Sequence, residues 1–186
     1  MPFGSCLCPD YPETPKQFLE EQWNPDNFIA IPVVSSENRK YIPIGYLGSN
    51  VIAGNKLFII PESTLYHFGV LTSNIHMAWI RAVCGRLKSD YSYSKEIVYN
   101  NFLFPAPTDE QKKKIERTAQ AIFNARAKYP DCSLADLYDE LTMPPELRKA
   151  HQANDLAVMT AYGFDKKITE SECVAELMKL YKKLTE

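Results

Sequence analysis

The sequence predicts an α+β protein in which a mixed sheet of short strands, packed with helices, is followed by an all-helical C-terminal domain. Three β-rich runs lie between residues 28 and 61, each bounded by proline or polar turns. Beyond Pro107, apolar residues recur at the spacing of amphipathic helices. Pro105 and Pro107 mark the boundary between the two parts.

The three runs are predicted to form short strands over residues 28–34, 41–46 and 56–61. Pro32 and Pro43 lie within the first two strands, and a proline has no N–H to donate to a strand ladder. These two strands are therefore predicted to lie at a sheet edge or to contain a bulge.

Two helices are predicted after the strands. Ser63 or Thr64 caps the first, which runs to about Val70, because a hydroxyl at this position can accept hydrogen bonds from helix N–H groups. The second helix begins near Ser73, presents an apolar stripe and is ended by Gly85. Residues 86–94 and 97–99 are then predicted to be extended.

Four helices are predicted in the C-terminal part. Thr108, with Gln111 three residues later, forms a capping box at the start of the first, and Gly163 ends the third. The predicted helices span residues 108–129, 134–141, 144–162 and 171–184. The last of these is amphipathic.

The sequence divides into an irregular, proline-rich lead-in (residues 1–27), a mixed domain (28–106) and a helical domain (107–186). The mixed domain carries seven basic against four acidic side chains, whereas the whole chain of 186 residues has a net charge of −2. This modest excess of basic residues over 28–106 is consistent with a surface that faces phosphates. It is equally consistent with ordinary variation of surface charge.

Several classes of protein are excluded by the sequence. No apolar run is long enough to span a membrane, and the start lacks the pattern of a secretory signal. Five scattered cysteines do not form a disulfide framework or a zinc motif. Nucleotide-binding, hydrolase and metalloprotease motifs are absent, and the three histidines lie on separate elements. A soluble intracellular protein without catalytic activity of its own is expected.

The predicted extended segment 86–94 contains the most informative side chains. In a strand, alternate side chains share a face, so Arg86, Lys88, Asp90 and Ser92 would lie together, opposite Leu87 and Tyr91. Lysine can donate to guanine O6 and N7, and aspartate can accept from cytosine N4, so Lys88 and Asp90 could read one G·C pair. The alternative is a solvated strand face with a weak Lys88–Asp90 ion pair.

A polar turn over residues 35–40 is the second candidate. Its hydroxyls and cations, from Ser35, Ser36, Arg39 and Lys40, are suited to phosphates or base edges, and Arg81 is a further candidate for a backbone contact. An ordinary solvated hairpin turn is equally consistent with these residues.

Six motifs occur in a fixed order between residues 28 and 163. They are residues 31–46 (IPVVSSENRKYIPIGY), 60–73 (IPESTLYHFGVLTS), 76–87 (HMAWIRAVCGRL), 99–102 (YNNF), 134–139 (LADLYD) and 141–151 (LTMPPELRKAH). Together they resemble the MmeI-like enzymes, single-chain type II restriction–modification proteins that carry an adenine DNA methyltransferase.

The resemblance implies that residues 28–106 are a target recognition domain that docks on duplex DNA, and that residues 107–186 are the family's helical C-terminal domain. In the parent enzyme, a methyltransferase domain upstream would flip an adenine and methylate N6 with S-adenosylmethionine, and a nuclease domain further upstream would use Mg²⁺. The family's base-reading positions follow the motif over residues 84–87, which implies Lys88 and Asp90 as readers and Ser92 as a further candidate. Arg86 is also expected to lie close to the bases as a base-reading residue.

The sequence departs from the whole family pattern because the cofactor-binding strand, the adenine-holding loop and the nuclease cluster are all absent. The chain is therefore expected to be a piece of a larger enzyme or a separate specificity subunit, with no cofactor of its own. Its expected partners are double-stranded DNA and a methyltransferase domain, in the bacterial cytoplasm and away from membranes. The rival interpretation is a protein–protein scaffold that docks through the amphipathic helix 171–184.

Overall fold

The computed structural model describes residues 25–185, so almost all of the predicted lead-in, residues 1–27, lies outside the described residues. The strands are β1 Asn27–Pro32, β2 Val34–Ser35, β3 Gly45–Gly48, β4 Leu57–Pro61, β5 Gly85–Leu87 and β6 Asp90–Ser92. The helices are α1 Leu65–Leu71, α2 Asn74–Val83, α3 Asp109–Arg126, α4 Leu134–Leu137, α5 Pro145–Tyr162 and α6 Glu170–Thr185, with a π-helix at Lys95–Tyr99. This architecture confirms the predicted α+β class.

The strands form two small antiparallel sheets, with the orders β3-β1-β4 and β2-β6-β5. In the first sheet β1 is central and its residues 28–31 are buried, as expected for a strand that is covered on both faces. The predicted strand 28–34 is divided at Val33, so β1 and β2 belong to different sheets. The predicted edge position is wrong for β1, which pairs with a strand on each side, and Pro32 is instead its last residue.

Two predicted extended segments are wrong. Strand β3 begins only at Gly45, while Tyr41, Ile42 and Ile44 are buried in a loop, because their apolar side chains fill the core without forming a ladder. Residues 97–99 belong to the π-helix. Ser94 caps this helix by accepting from the Ile97 N–H, which an extended segment would leave unpaired.

Most of the helix ends follow from local capping. Thr108 and Gln111 form the predicted capping box of α3, and Gly163, with φ of 73°, ends α5 in the left-handed region that glycine tolerates. The prediction for Gly85 is wrong, because α2 ends at Val83, Cys84 is already extended, and Gly85 begins β5. Helix α4 stops at Leu137, four residues earlier than predicted.

One hydrophobic core joins the two parts of the chain, which we call the recognition part (residues 25–106) and the helical part (residues 107–185). Helix α1 packs directly on α3, where a methyl group added at Gly69 would lie 2.6 Å from the Ile115 Cγ2. The Phe68 and Phe123 rings are 4.4 Å apart across the same boundary. None of the described helices is long and apolar enough to cross a membrane.

Candidate nucleic-acid interface

The predicted extended segment 86–94 is a β-hairpin, which we call the reader hairpin (residues 85–92). Leu87 pairs with Asp90, so Lys88 and Ser89 form a two-residue turn. The fold-back places β6 between β5 and β2, where its backbone groups find partners on both sides. The single-strand prediction failed because Lys88, with φ of 57°, occupies a turn position where glycine or asparagine is usual.

The hairpin redistributes the predicted side chains between two faces. Directly paired residues of an antiparallel ladder share a face, so Leu87 lies beside Asp90, and Ser92 follows on the same side. Arg86 pairs with Tyr91 and lies on the opposite face. The prediction that Arg86 shares a face with Asp90 and Ser92 is therefore wrong. We call the exposed side, which carries Val34, Leu87, Asp90 and Ser92, the outer face.

Lys88 lies at the tip of the hairpin, exposed, and has no hydrogen bond or ion pair with any residue between 25 and 185. Asp90 is half-buried, and its Oδ1 accepts a long hydrogen bond of 3.4 Å from the Glu37 N–H. No Lys88–Asp90 ion pair forms within the described residues, so the ion-pair part of the alternative is wrong, and the exposure of Lys88 agrees with its solvated surface. Within residues 25–185, the Lys88 ammonium and the second Asp90 oxygen have no recorded polar partner.

Arg86 holds the turn in place. Its guanidinium lies 4.2 Å from the centre of the Tyr91 ring, and its Nη1 donates to the Ser89 carbonyl at 2.9 Å. A weak ion pair of 3.9 Å joins the same group to Glu37. Tyr91 is 4% exposed and anchors the inner side of the hairpin. Arg86 therefore orients the turn from behind.

The polar turn over residues 35–40 borders the reader hairpin, because β2 pairs with β6. Ser35 is 2% exposed, so its hydroxyl faces the interior. The Ser36 hydroxyl accepts from the Asn38 N–H at 3.3 Å. Arg39 is half-buried, and its Nε has no partner within residues 25–185. Lys40 is exposed, with its ammonium 5.7 Å from the Tyr41 ring.

Arg81 is already engaged within the chain. Its Nε and Nη2 donate to the two carboxylate oxygens of Glu170, at 2.6 and 3.0 Å. This bidentate pair joins α2 to α6. The structure thus gives Arg81 a contact between helices, and its predicted phosphate contact stays a prediction.

The buried histidines are packing residues. His76 lies between the Leu71 carbonyl, 2.7 Å from Nδ1, and the Tyr93 hydroxyl, 3.2 Å from Nε2. Burial lowers the pKa of His76 to about 4, which keeps the ring neutral at pH 7. His151 stacks on Tyr41 with ring centres 4.2 Å apart, and burial lowers its pKa to about 3. Between residues 25 and 185, neither ring belongs to a group of His, Cys, Asp or Glu side chains that could hold a metal ion.

A buried polar cluster, which the sequence did not predict, lies behind the interface. Asp155 of α5 accepts from the Tyr41 hydroxyl at 2.7 Å and from the Asn74 N–H, at the start of α2, at 2.8 Å. Burial raises the pKa of Asp155 to about 6. Arg126 donates to the Ile44 carbonyl at 3.0 Å. No local signal could reveal these contacts, because the partners are more than 80 residues apart.

Comparison with known proteins identifies the family. A family model described as "MmeI, target recognition domain" matches residues 8–106, and one described as "MmeI, C-terminal domain" matches residues 107–186. The chain belongs to the MmeI family. The family resemblance carried by the six motifs is thereby confirmed, and the reader hairpin lies within the target recognition domain of this family.

This chain is similar to two much longer proteins. It is 39% identical over 173 residues to DNA methyltransferase A of Bacillus subtilis (strain 168), a match that covers 93% of this chain and 20% of the relative. It is also similar to the structure of the type IIL restriction–modification enzyme MmeI in complex with DNA, with 48% identity and a TM-score of 0.83. That match covers 88% of this chain and 22% of MmeI. The chain thus spans about a fifth of either relative's length.

Proposed function

We propose that this chain selects the DNA site on which a methyltransferase of the restriction–modification type acts. The observation that carries the proposal is the turn of the reader hairpin, which presents the unpaired Lys88 beside Asp90 in a target recognition domain of the MmeI family. The neighbouring structure of MmeI in complex with DNA supports duplex DNA as the ligand.

Lys88 and Asp90 are proposed to read a G·C pair in the major groove. The groove admits a two-stranded β-ribbon, and a two-residue turn makes the tip of the reader hairpin narrow enough to enter. The Lys88 ammonium donates to guanine O6 and N7, while Asp90 accepts from cytosine N4. Ser92 lies two residues further along the same face and would contact the next base edge or a sugar.

Contacts with the DNA backbone are proposed for Ser36, Arg39 and Lys40, since their loop borders the reader hairpin. Arg86 is proposed to position the turn, because its guanidinium is committed to Tyr91 and the Ser89 carbonyl. Ser35 and Arg81 are omitted from this set, the first because it is buried and the second because Glu170 occupies its guanidinium.

Methylation of adenine N6 and DNA cleavage are proposed to belong to other domains of a longer polypeptide. Within residues 25–185, no three His, Cys, Asp or Glu side chains are grouped to hold a metal ion. S-adenosylmethionine would likewise bind to the methyltransferase domain, which this chain would direct to its site in the bacterial cytoplasm.

The scaffold alternative loses its main support in the structure. It depended on the amphipathic character of the last helix, but Cys173 and Leu177 of α6 are buried in the core of this chain. The Arg81–Glu170 pair fastens the same helix to α2. Intramolecular packing thus explains Cys173 and Leu177 of this apolar face, while Met178 and Leu184 are exposed.

The proposal predicts that a double charge reversal will change the preferred base pair. The chain is incubated at low salt with a library of random duplexes, and the bound fraction is sequenced. The wild type should enrich a site with a fixed G·C pair, and Lys88→Glu with Asp90→Arg should invert the preference at that position. Loss of one such contact should cost about 1–3 kcal/mol for the original base.

The matched control reverses another exposed charge pair, Glu176→Lys with Lys179→Glu in α6, whose charged atoms lie 2.7 Å apart. It carries the same number of charge reversals away from the hairpin and should enrich the wild-type site. An unchanged preference in the Lys88/Asp90 variant would contradict the assignment of these readers. Binding without any enrichment would contradict the whole proposal, because phosphate contacts alone produce it.

A further inference from the structure

We propose that Leu87 is an additional specificity-determining residue, which contacts the C5 methyl group of a thymine at or beside the base pair read by Asp90. The inference rests on the proposed function, since it assigns a further contact to the same surface. Sequence reasoning placed Leu87 on the side opposite the readers, and the register of the hairpin reverses that placement.

The position of Leu87 follows from the strand pairing. Leu87 pairs directly with Asp90, and paired residues have Cβ atoms about 5 Å apart. Stacked nucleotides of one strand are about 3.4 Å apart, so a side chain beside Asp90 reaches the same base pair or its neighbour. Gly85, which is also on this side, has no Cβ and leaves the outer face open.

Leu87 is 57% exposed, although it is an aliphatic residue next to a buried hydrophobic core. The opposite face of the hairpin is anchored by Tyr91, which the Arg86 guanidinium covers. No described element covers Leu87. Its exposure therefore provides an apolar surface of a few carbon atoms at the tip of a hairpin that is otherwise polar.

The neighbours of Leu87 favour a base edge over a protein surface. It is flanked by Arg86 and Lys88 along the chain and by Asp90 across the ladder. The centre of a protein–protein interface is depleted in lysine and aspartate, whereas the major groove combines donors, acceptors and the thymine methyl group. Leu87, an aliphatic group among charged side chains at the tip, matches the second pattern, while Val34, the other exposed aliphatic residue of the outer face, lies beside Ser92.

The test removes only the methyl group from the DNA. Starting from the duplex that the wild-type chain selects, each thymine is replaced in turn by deoxyuridine, and the dissociation constant is measured by titration. One replacement, at or next to the fixed G·C pair, should weaken binding about fourfold, as expected for one buried methyl-sized group. In Leu87→Ala the same replacement should have no effect, while the G·C preference is retained.

The matched control is Ile52→Ala, which truncates an aliphatic residue of similar exposure, 58%, outside the outer face. It should keep the wild-type response to deoxyuridine, and thermal melting of both variants verifies that they are folded. The inference is overturned if no deoxyuridine replacement weakens wild-type binding, or if the response persists in Leu87→Ala. A retained G·C preference in those cases leaves the proposed function intact. A chain that enriches no site overturns both.

Discussion

Lys88 combines a strained backbone with a free side chain. Its φ of 57° lies in the left-handed region, which costs an L-residue about 1–2 kcal/mol relative to glycine. Of the two turn residues, only the first has a positive φ, the pattern of a type II′ turn, where glycine is the usual choice. Lysine at this position therefore lowers the stability of the fold relative to glycine, and it places a positive charge at the tip of the hairpin.

Replacing this residue should therefore separate stability from recognition. Lys88→Gly should raise the free energy of unfolding by about 1 kcal/mol, because the positive φ no longer carries a Cβ penalty. The same variant should lose the guanine preference. Urea denaturation measures the first effect, and selection on random duplexes measures the second.

Ser89→Gly is the control, since Ser89 lies in the same turn without a positive φ. It adds only flexibility and should lower the free energy of unfolding by roughly 0.5–1 kcal/mol. A Lys88→Gly variant that is destabilised as much as Ser89→Gly would show that the turn carries no strain at Lys88.

The candidate readers could be predicted from residue types, but their arrangement could not. A lysine and an aspartate two residues apart suggest a G·C reader wherever they stand, and the structure leaves both accessible. The faces were misassigned because the turn lacks glycine, asparagine and proline, which are the usual turn signals. In the observed hairpin, Arg86 lies on the inner side and Leu87 lies on the outer face, the reverse of the predicted placement.

At the scale of elements, α5 holds the start of α2 and the loop before β3 through one carboxylate. The two Asp155 oxygens accept from different elements, Tyr41 in the loop and Asn74 at the first residue of α2. Helix α2 leads directly into the reader hairpin. The helical part thereby fixes the start of α2, the helix whose other end leads into the reader hairpin.

Removing one of these hydrogen bonds should destabilise the fold without changing the recognised site. Tyr41→Phe leaves a buried carboxylate oxygen without its donor, so the free energy of unfolding should fall by about 1–3 kcal/mol. The control, Tyr129→Phe, removes an exposed hydrogen bond to Glu146 and should change it by less than about 1 kcal/mol. Urea denaturation measures the free energy of unfolding of both variants. An equal decrease in the two would contradict a special role for the Asp155 contact.

The elements themselves were predictable where short-range chemistry decides them. The hydroxyl caps at Thr64, Ser73 and Thr108 define the starts of α1, α2 and α3. The prediction failed for residues 41–44, where a short run of apolar residues resembles a strand. Their side chains are buried by contacts with the distant helical part, and a local pattern contains no information about such contacts.

At the scale of the whole molecule, the shared core makes the two family domains structurally dependent on each other. The two family matches meet between residues 106 and 107, yet α1 of the recognition part packs on α3 of the helical part. Phe123 contacts both Tyr46 and Phe68 across this boundary. Independent domains in one chain would instead be joined by few contacts and an exposed linker.

Because the core is shared, a destabilising substitution in the helical part should also lower the stability of the recognition part. Ile122→Ala truncates a fully buried residue of α3 and should cost about 2–5 kcal/mol. If the chain unfolds as one unit, the slowest amides of β1, over residues 29–31, should lose the same free energy of protection from hydrogen exchange. Gln120→Ala, at an exposed position of the same helix, is the control and should leave β1 unchanged. Full protection of β1 in Ile122→Ala would instead show that the recognition part is stable independently, and that the helical part serves another purpose than supporting it.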